Sequence, residues 1–459
     1  MSYKINSLTE GKIGKNLFRM TLGMLVGHIS MTIFNITDTY FVSKLGTQEL
    51  AAMGFTFPFV ALVNHFIFGI GIGSGALIAR SIGQNNEKKV KQYTTHCLYL
   101  VFSVGLLISF LGIIFARDIF VFFNAKGETL ELVLSYMYIW LIGCPIGSIP
   151  MVVNNAIRAT GNTKTPGIIM ALSSGINVIL DPLLIFGIWI FPEMGIRGAA
   201  VATVTARTLS SILAISYLHI KMKLFDFSFP GLKTIFESWK KIMNLAIPSS
   251  LSLIMIPISA AIITKILAGY GDQAVAAAGA GSRIDMLTLM VLFSLASSLM
   301  PFTAQNFGAD KFDRIVKGLN IAEKFAFMWG IFMFISIFFF KEEIAMIFSK
   351  DGAVIDYIVF YLLAMTVAYP FIGICIMCSN VLNGLHKTFL SAVLNLLRTI
   401  VFMIPAVIFG SIAGGVEGIF ISMALTNIVF SFVYHRVAVT TIKRKTASVD
   451  QLKKGFCSN

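Results

Sequence analysis

"NVILDPLLIFG", residues 177–187, sets a carboxylate, Asp181, directly before Pro182 inside a largely apolar run from Ile168 to Ile190. Such a run is long enough to cross a membrane, because a helix needs about 20 residues to span a hydrocarbon core of roughly 30 Å. Comparable stretches recur at about 16–42, 50–79, 92–116, 130–155, 166–190, 196–219, 243–268, 274–304, 319–340, 354–382, 388–412 and 416–440. The 459 residues are 56% hydrophobic and 13% charged, whereas a soluble globular chain carries about 25% charged residues. The mean hydropathy of +0.83 agrees. The chain therefore reads as an all-α polytopic membrane protein with twelve transmembrane helices. A membrane β-barrel would show alternating segments of roughly 10 residues instead.

The net charge of +14 needs no nucleic acid to explain it. Of the 36 Lys and Arg, 25 fall on the side that holds both termini and 7 on the other, leaving Lys324, Arg207, Arg283 and Arg398 inside helices. Such asymmetry is the positive-inside pattern; it predicts a multi-pass plasma (inner) membrane protein with both termini cytoplasmic. The charge-rich start, "MSYKINSLTEGKIGKNLFRM", lacks the apolar core and cleavage site of a secretory signal. Cys97, Cys144, Cys375 and Cys378 lie in or at the edge of predicted helices and Cys457 in the tail, so no disulfide framework is expected. "GIGIGSG" (69–75) looks like a phosphate loop, but no strand precedes it, and small residues inside a helix allow close helix contact.

Working outward from Asp181 reveals a repeat. "ELAAMG" (49–54) aligns with "AVAAAG" (274–279) at an offset of 225, Pro145 and Asn155 with Pro370 and Asn380, "DPLLIFG" with "IPAVIFG" (404–410), and "GIRG" (195–198) with "GVEG" (415–418). The expectation is two six-helix lobes related by a pseudo-two-fold axis along the membrane normal, as in alternating-access transporters. They divide as residues 1–220 (N-terminal lobe, helices 1–6), 221–242 (basic cytoplasmic linker), 243–440 (C-terminal lobe, helices 7–12) and 441–459 (basic cytoplasmic tail).

The repeat is also an internal control, because packing demands are similar in both halves while chemistry is not. Asp181 aligns with Ile404, Asn177 with Ile400 and Asp38 with Ile263, so the fold does not require these polar groups. A carboxylate inside the bilayer costs at least about 2.5–3.5 kcal/mol on insertion scales and normally faces a bundle interior or an aqueous cavity. Asn177 and Asp181, four apart, share a helix face, and Pro182 cannot donate to the Val178 carbonyl. Oxygen ligands of this kind suit a small cation or a proton. In the second half Lys265, Arg283, Asp285 and Arg398 are the polar candidates; Arg283 and Asp285, two apart, do not face each other.

At these residues the chain resembles the multidrug and toxic compound extrusion (MATE) family, and more narrowly its DinF-type branch. The likeness rests on "DTYFVSKLG" ending helix one, "NNAIRATGNTKTPG" joining helices four and five, "NVILDPLLIFG", and "GIRGAAVAT" opening helix six. It implies a cation-coupled exporter of amphipathic, often cationic drugs. It further implies a coupling site for Na+ or H+ at Asp38, Asn177, Asp181 and Thr203, with Tyr136 and Asn154 in the neighbouring polar network or substrate cavity. No other cofactor and no catalytic residue is implied, and a monomer is expected. Gly23 stands where many relatives carry a proline in helix one. The reading is thus a secondary-active multidrug efflux antiporter. A lipid-linked oligosaccharide flippase of the same wider superfamily is the alternative; it would want several intramembrane cations for phosphate, where only Arg207, Arg283 and Arg398 are available. A channel fits the two-lobed repeat less well, and no enzyme motif reaches moderate strength.

Overall fold

The computed structural model describes residues 8–226 and 231–456, so residues 1–7, part of the linker at 227–230, and Cys457 at the end of the tail lie outside the described residues. All regular structure among the described residues is helical, as expected where no water is present to satisfy an open backbone. In chain order the helices are α1 (Ile13–Ser43), α2 (Thr47–Gly83), α3 (Glu87–Phe122), α4 (Gly127–Gly147), α5 (Ile149–Ala159), α6 (Lys164–Ile185), α7 (Ile196–Ser216), α8 (Leu232–Ala268), α9 (Asp272–Gly308), α10 (Phe312–Phe348), α11 (Gly352–Gly384), α12 (Thr388–Leu396) and α13 (Met403–Phe456). Wider π-type turns continue α7 over Tyr217–Met222 and join α12 to α13 over Leu397–Phe402. Among the described residues ten helical stretches are long and apolar enough to cross a membrane, α4 and α5 forming one of them. The last, Thr388–Val449, is 62 residues long and therefore holds two spans.

The internal repeat is visible in the backbone. α2 and α9 begin at Thr47 and Asp272 and end at Gly83 and Gly308, each pair 225 residues apart. The turns that follow place Asn85 (φ 53°) and Asp310 (φ 56°) in the left-handed region, which short Asn and Asp side chains tolerate. Gly195, before α7, has φ 56° and ψ −134°; Gly415, which breaks α13 into its two spans, has φ 55° and ψ −136°. An L side chain is strained in that conformation, so "GIRG" and "GVEG" mark the same break.

The chain forms two compact units, one covering Leu22–Ser250 and the other Leu8–Thr21 together with the chain from Leu251 onward. In the first, the "GIGIGSG" stripe of α2 acts by closeness. A Cβ on Gly69 would meet Ser250 Oγ and Ala246 O, and one on Gly71 would meet Asn155 Nδ2. In the second, α11 is the central element, packed by α9, α10 and α13, with Tyr369, Tyr434, Phe302 and Phe420 fully buried. Residues 8–11 are tied into this second unit. Leu8 N donates to Gln305 Oε1 at 2.8 Å, and Arg314 Nη2 donates to the Glu10 and Gly11 carbonyls at 3.1 Å.

Gly23 illustrates why one small residue suits its place. α1 and α6 approach so closely there that a Cβ on Gly23 would lie 2.5 Å from Thr163 Oγ1 and 2.7 Å from the Thr163 carbonyl carbon. Because backbone cannot step aside as a side chain does, Gly23→Ala is expected to cost about 1–3 kcal/mol through overpacking. The check is a lowered midpoint in fluorescence-detected thermal unfolding of the purified protein. An unchanged midpoint would mean that α1 and α6 are not held at this distance.

Candidate functional site

The sequence candidates Asp38, Tyr136, Asn154, Asn177, Asp181 and Thr203 all lie in the first unit, on α1, α4, α5, α6, α6 and α7. All are buried: Asn177 and Asp181 have no exposure, Asp38 has 7%. Asn177 Nδ2 donates to Asp181 Oδ1 at 3.1 Å, one helical turn along α6. Tyr136 interacts electrostatically with Asp38, Asp181 and Arg207 and approaches Thr203. Asp38 and Asp181 act on one another in the same way. The structure thus brings two carboxylates, an amide, a phenol and a hydroxyl from α1, α4, α6 and α7 into one neighbourhood.

What distinguishes this neighbourhood is what it leaves undone. Asp38 Oδ1, Asn177 Oδ1, Asp181 Oδ2 and Thr203 Oγ1 are buried without a protein hydrogen-bond partner. Buried polar atoms are ordinarily paired, and each orphan costs about 1–3 kcal/mol. Acceptor-capable oxygens left unpartnered on three helices are hard ligands of the kind that take a small cation, or a proton on either carboxylate.

A cavity of ≈ 200 Å³ lies in the same unit, bounded by α1, α2, α4, α5, α6 and α7. Of the six sequence candidates only Asn154 lines it; its Oδ1 is likewise buried and unpartnered. Two cations outside that set do line it, Arg158 and Arg207. A loop-by-loop charge count places Arg158 among the basic residues flanking the membrane, yet its side chain is buried, with 9% exposure. Such a count cannot detect an inward-turned side chain. The sequence signal is limited to the position of Arg158 inside "NNAIRATGNTKTPG".

In the second unit Thr303 Oγ1, Asn383 Oδ1 and Arg398 Nε are likewise buried without a partner, but the carboxylate Asp285 is not. Asp285 accepts hydrogen bonds from Tyr361 Oη at 2.5 Å and Tyr369 Oη at 2.7 Å, while Arg283 is exposed. Arg398 Nη1 donates to Asn427 Oδ1 at 3.0 Å. Lys265 is exposed. Cys378 Sγ donates to Glu323 Oε1 at 3.6 Å and Cys375 Sγ to the Asn427 carbonyl at 3.9 Å, so the two thiols are directed to separate acceptors.

The family model MatE matches residues 24–183 and again 248–408. This chain belongs to the MATE family. The double match repeats the backbone periodicity. The chain is 35% identical over 433 residues to a protein of Shewanella oneidensis named "FAD transporter", covering 94% of this chain and 96% of that one. It is 26% identical to "Probable multidrug resistance protein YoeA" of Bacillus subtilis, over 78% of each chain. Among solved structures, the Vibrio cholerae MATE transporter VcmN in its bent form matches with TM-score 0.90 and 27% identity, over 95% of this chain and 98% of that one. A multidrug resistance MATE transporter in an outward-facing conformation matches with TM-score 0.90 and 25% identity, over 97% and 100%. MATE structures of this kind have twelve transmembrane helices in two lobes. The protein is therefore a multi-pass membrane transporter and not an enzyme.

Proposed function

We propose that this MATE-family transporter is a secondary-active exporter. It moves amphipathic small molecules outward by alternating access in exchange for Na+ or H+, which binds at Asp38, Asn177, Asp181 and Thr203. The reading has the chain working as a monomer in the plasma (inner) membrane with both termini cytoplasmic, Tyr136 and Asn154 extending the polar network toward substrate. The observation that supports it most is the set of four buried oxygens without protein partners, in a lobe whose repeat counterpart carries Ile404, Ile400 and Ile263 at the matching positions. An ion that binds one conformation better than the other shifts the population toward it by its differential affinity, which is the thermodynamic content of coupling.

The relatives named for multidrug resistance favour a broad amphipathic substrate range. The relative named "FAD transporter" supports a second reading, export of a flavin nucleotide. Both are tested in proteoliposomes that hold the purified full-length chain. Flux of ethidium and of FAD should accelerate when a sodium gradient is imposed at fixed pH, or a pH gradient at fixed sodium, and the ion that accelerates it is the coupling ion. Fluxes that ignore both gradients would overturn ion-coupled export.

A further inference from the structure

We propose that Arg158 and Arg207 form an anion-binding pair in the first-unit cavity, which holds the phosphate of a phosphorylated aromatic substrate. The inference rests on the transporter reading and names the class of compound that its cavity takes.

Both arginines line the cavity, Arg158 from α5 and Arg207 from α7. Arg158 is held by its Nε, which donates to the Asn154 carbonyl at 3.2 Å, and by Nη1, which rests on the weak acceptor Met24 Sδ at 3.6 Å. Among the described residues neither Arg158 nor Arg207 forms an ion pair with a carboxylate. Arg207 and Asp38 act on one another electrostatically without forming a salt bridge, and the Arg207 stem passes Gly147, where a Cβ would lie 3.4 Å from Cδ. Arg158 is buried and Arg207 half-buried, and a buried cation is normally matched by an anion, because the desolvation cost of leaving it unmatched is several kcal/mol. A cation in the last turn of α5 would complement the helix dipole, but that need is met equally well from an exposed position.

The repeat again separates packing from chemistry. α5 ends at Ala159 and α11 at Gly384, so Arg158 corresponds to Asn383; with "GIRG" set on "GVEG", Arg207 corresponds to Asn427. Both arginines are thus particular to the first half, as Asp38 and Asp181 are. Besides the polar His28, Asn154, Ser173, Ser174 and Ser210, the lining carries soft apolar side chains that include Phe34, Phe68, Met31 and Met151. Aromatic and thioether side chains suit a planar ring system. Two planar guanidinium groups suit the oxygens of a phosphate, which each can engage in bidentate fashion.

Equilibrium binding to the detergent-purified full-length chain tests the assignment without involving transport. FMN and riboflavin share one ring system and differ only in the terminal phosphate. FMN is expected to bind at least about tenfold more tightly than riboflavin, and Arg158→Gln and Arg207→Gln are each expected to weaken FMN about tenfold or more, a loss of about 1.4 kcal/mol, with a much smaller effect on riboflavin. Equal affinities of the unaltered protein for FMN and riboflavin would overturn the proposal, and that comparison needs no variant to fold. FMN affinity unchanged in both glutamine variants would overturn it as well. Failure of ion-coupled export shows up separately, as fluxes that ignore imposed gradients although flavin binding remains phosphate-dependent.

Discussion

Asp181→Asn is expected to abolish the dependence of flux on an ion gradient while the protein still folds and inserts. The side chain has no exposure, its Oδ1 takes the Asn177 amide at 3.1 Å, and its Oδ2 has no protein partner. An asparagine has nearly the same shape and keeps an acceptor for Asn177, but it carries no charge to attract a cation and no site to take a proton at neutral pH. The fold does not object, since Ile404 occupies the matching position of the other lobe. Gradient-driven ethidium efflux from proteoliposomes should fall at least about tenfold, the consequence of losing about 1.4 kcal/mol of cation interaction. Elution as a single species on size-exclusion chromatography should be retained. A variant that responds to gradients as the unaltered protein does would make the carboxylate structural.

The opposite pattern is expected of Asp285. Both of its oxygens are satisfied, by Tyr361 at 2.5 Å and Tyr369 at 2.7 Å, so nothing in its surroundings calls for a mobile cation. Asp285→Leu would leave two hydroxyls without their acceptor in an apolar interior, at about 1–3 kcal/mol each. A lowered thermal unfolding midpoint is the expected readout, with a smaller drop for Asp285→Asn, which retains one acceptor oxygen. Gradient-dependent efflux per folded molecule should persist in the asparagine variant. Loss of gradient dependence with stability intact would instead place Asp285 in the coupling chemistry. The same residue type is thus expected to have two roles, which the completeness of its hydrogen bonding separates.

Much of the architecture is legible in the order of residues alone. Apolar runs long enough to span a bilayer are countable, and they correspond to the long helices, except that Thr388–Val449 is one continuous helical stretch, with a π-type segment over Leu397–Phe402 and a break at Gly414 and Gly415. The offset of 225 between halves recurs in the ends of α2 and α9 and in the doubled family match. The first-half carboxylates stand out because the second half supplies Ile404 and Ile263 for comparison. Arg158 escapes a sequence reading for a specific reason. Near a helix end, charge counting assigns a basic residue to the flanking water, whereas Arg158 turns its side chain inward to the Asn154 carbonyl and Met24. Gly23 is legible as a departure from the usual proline of relatives, yet its contact with Thr163 of the α5–α6 connection is not.

By itself the sequence determined the helical class, the repeat, the membrane setting and the asymmetry of acids between halves, because length, composition and periodicity are properties of the chain taken in order. Only the tertiary structure decided that oxygens of Asp38, Asn177, Asp181 and Thr203 are left unpaired together, and that Arg158 and Arg207 line one cavity. Those facts depend on how far each helix is rotated about its own axis and on which neighbour stands opposite, and helix rotation is set by packing between residues distant in the chain.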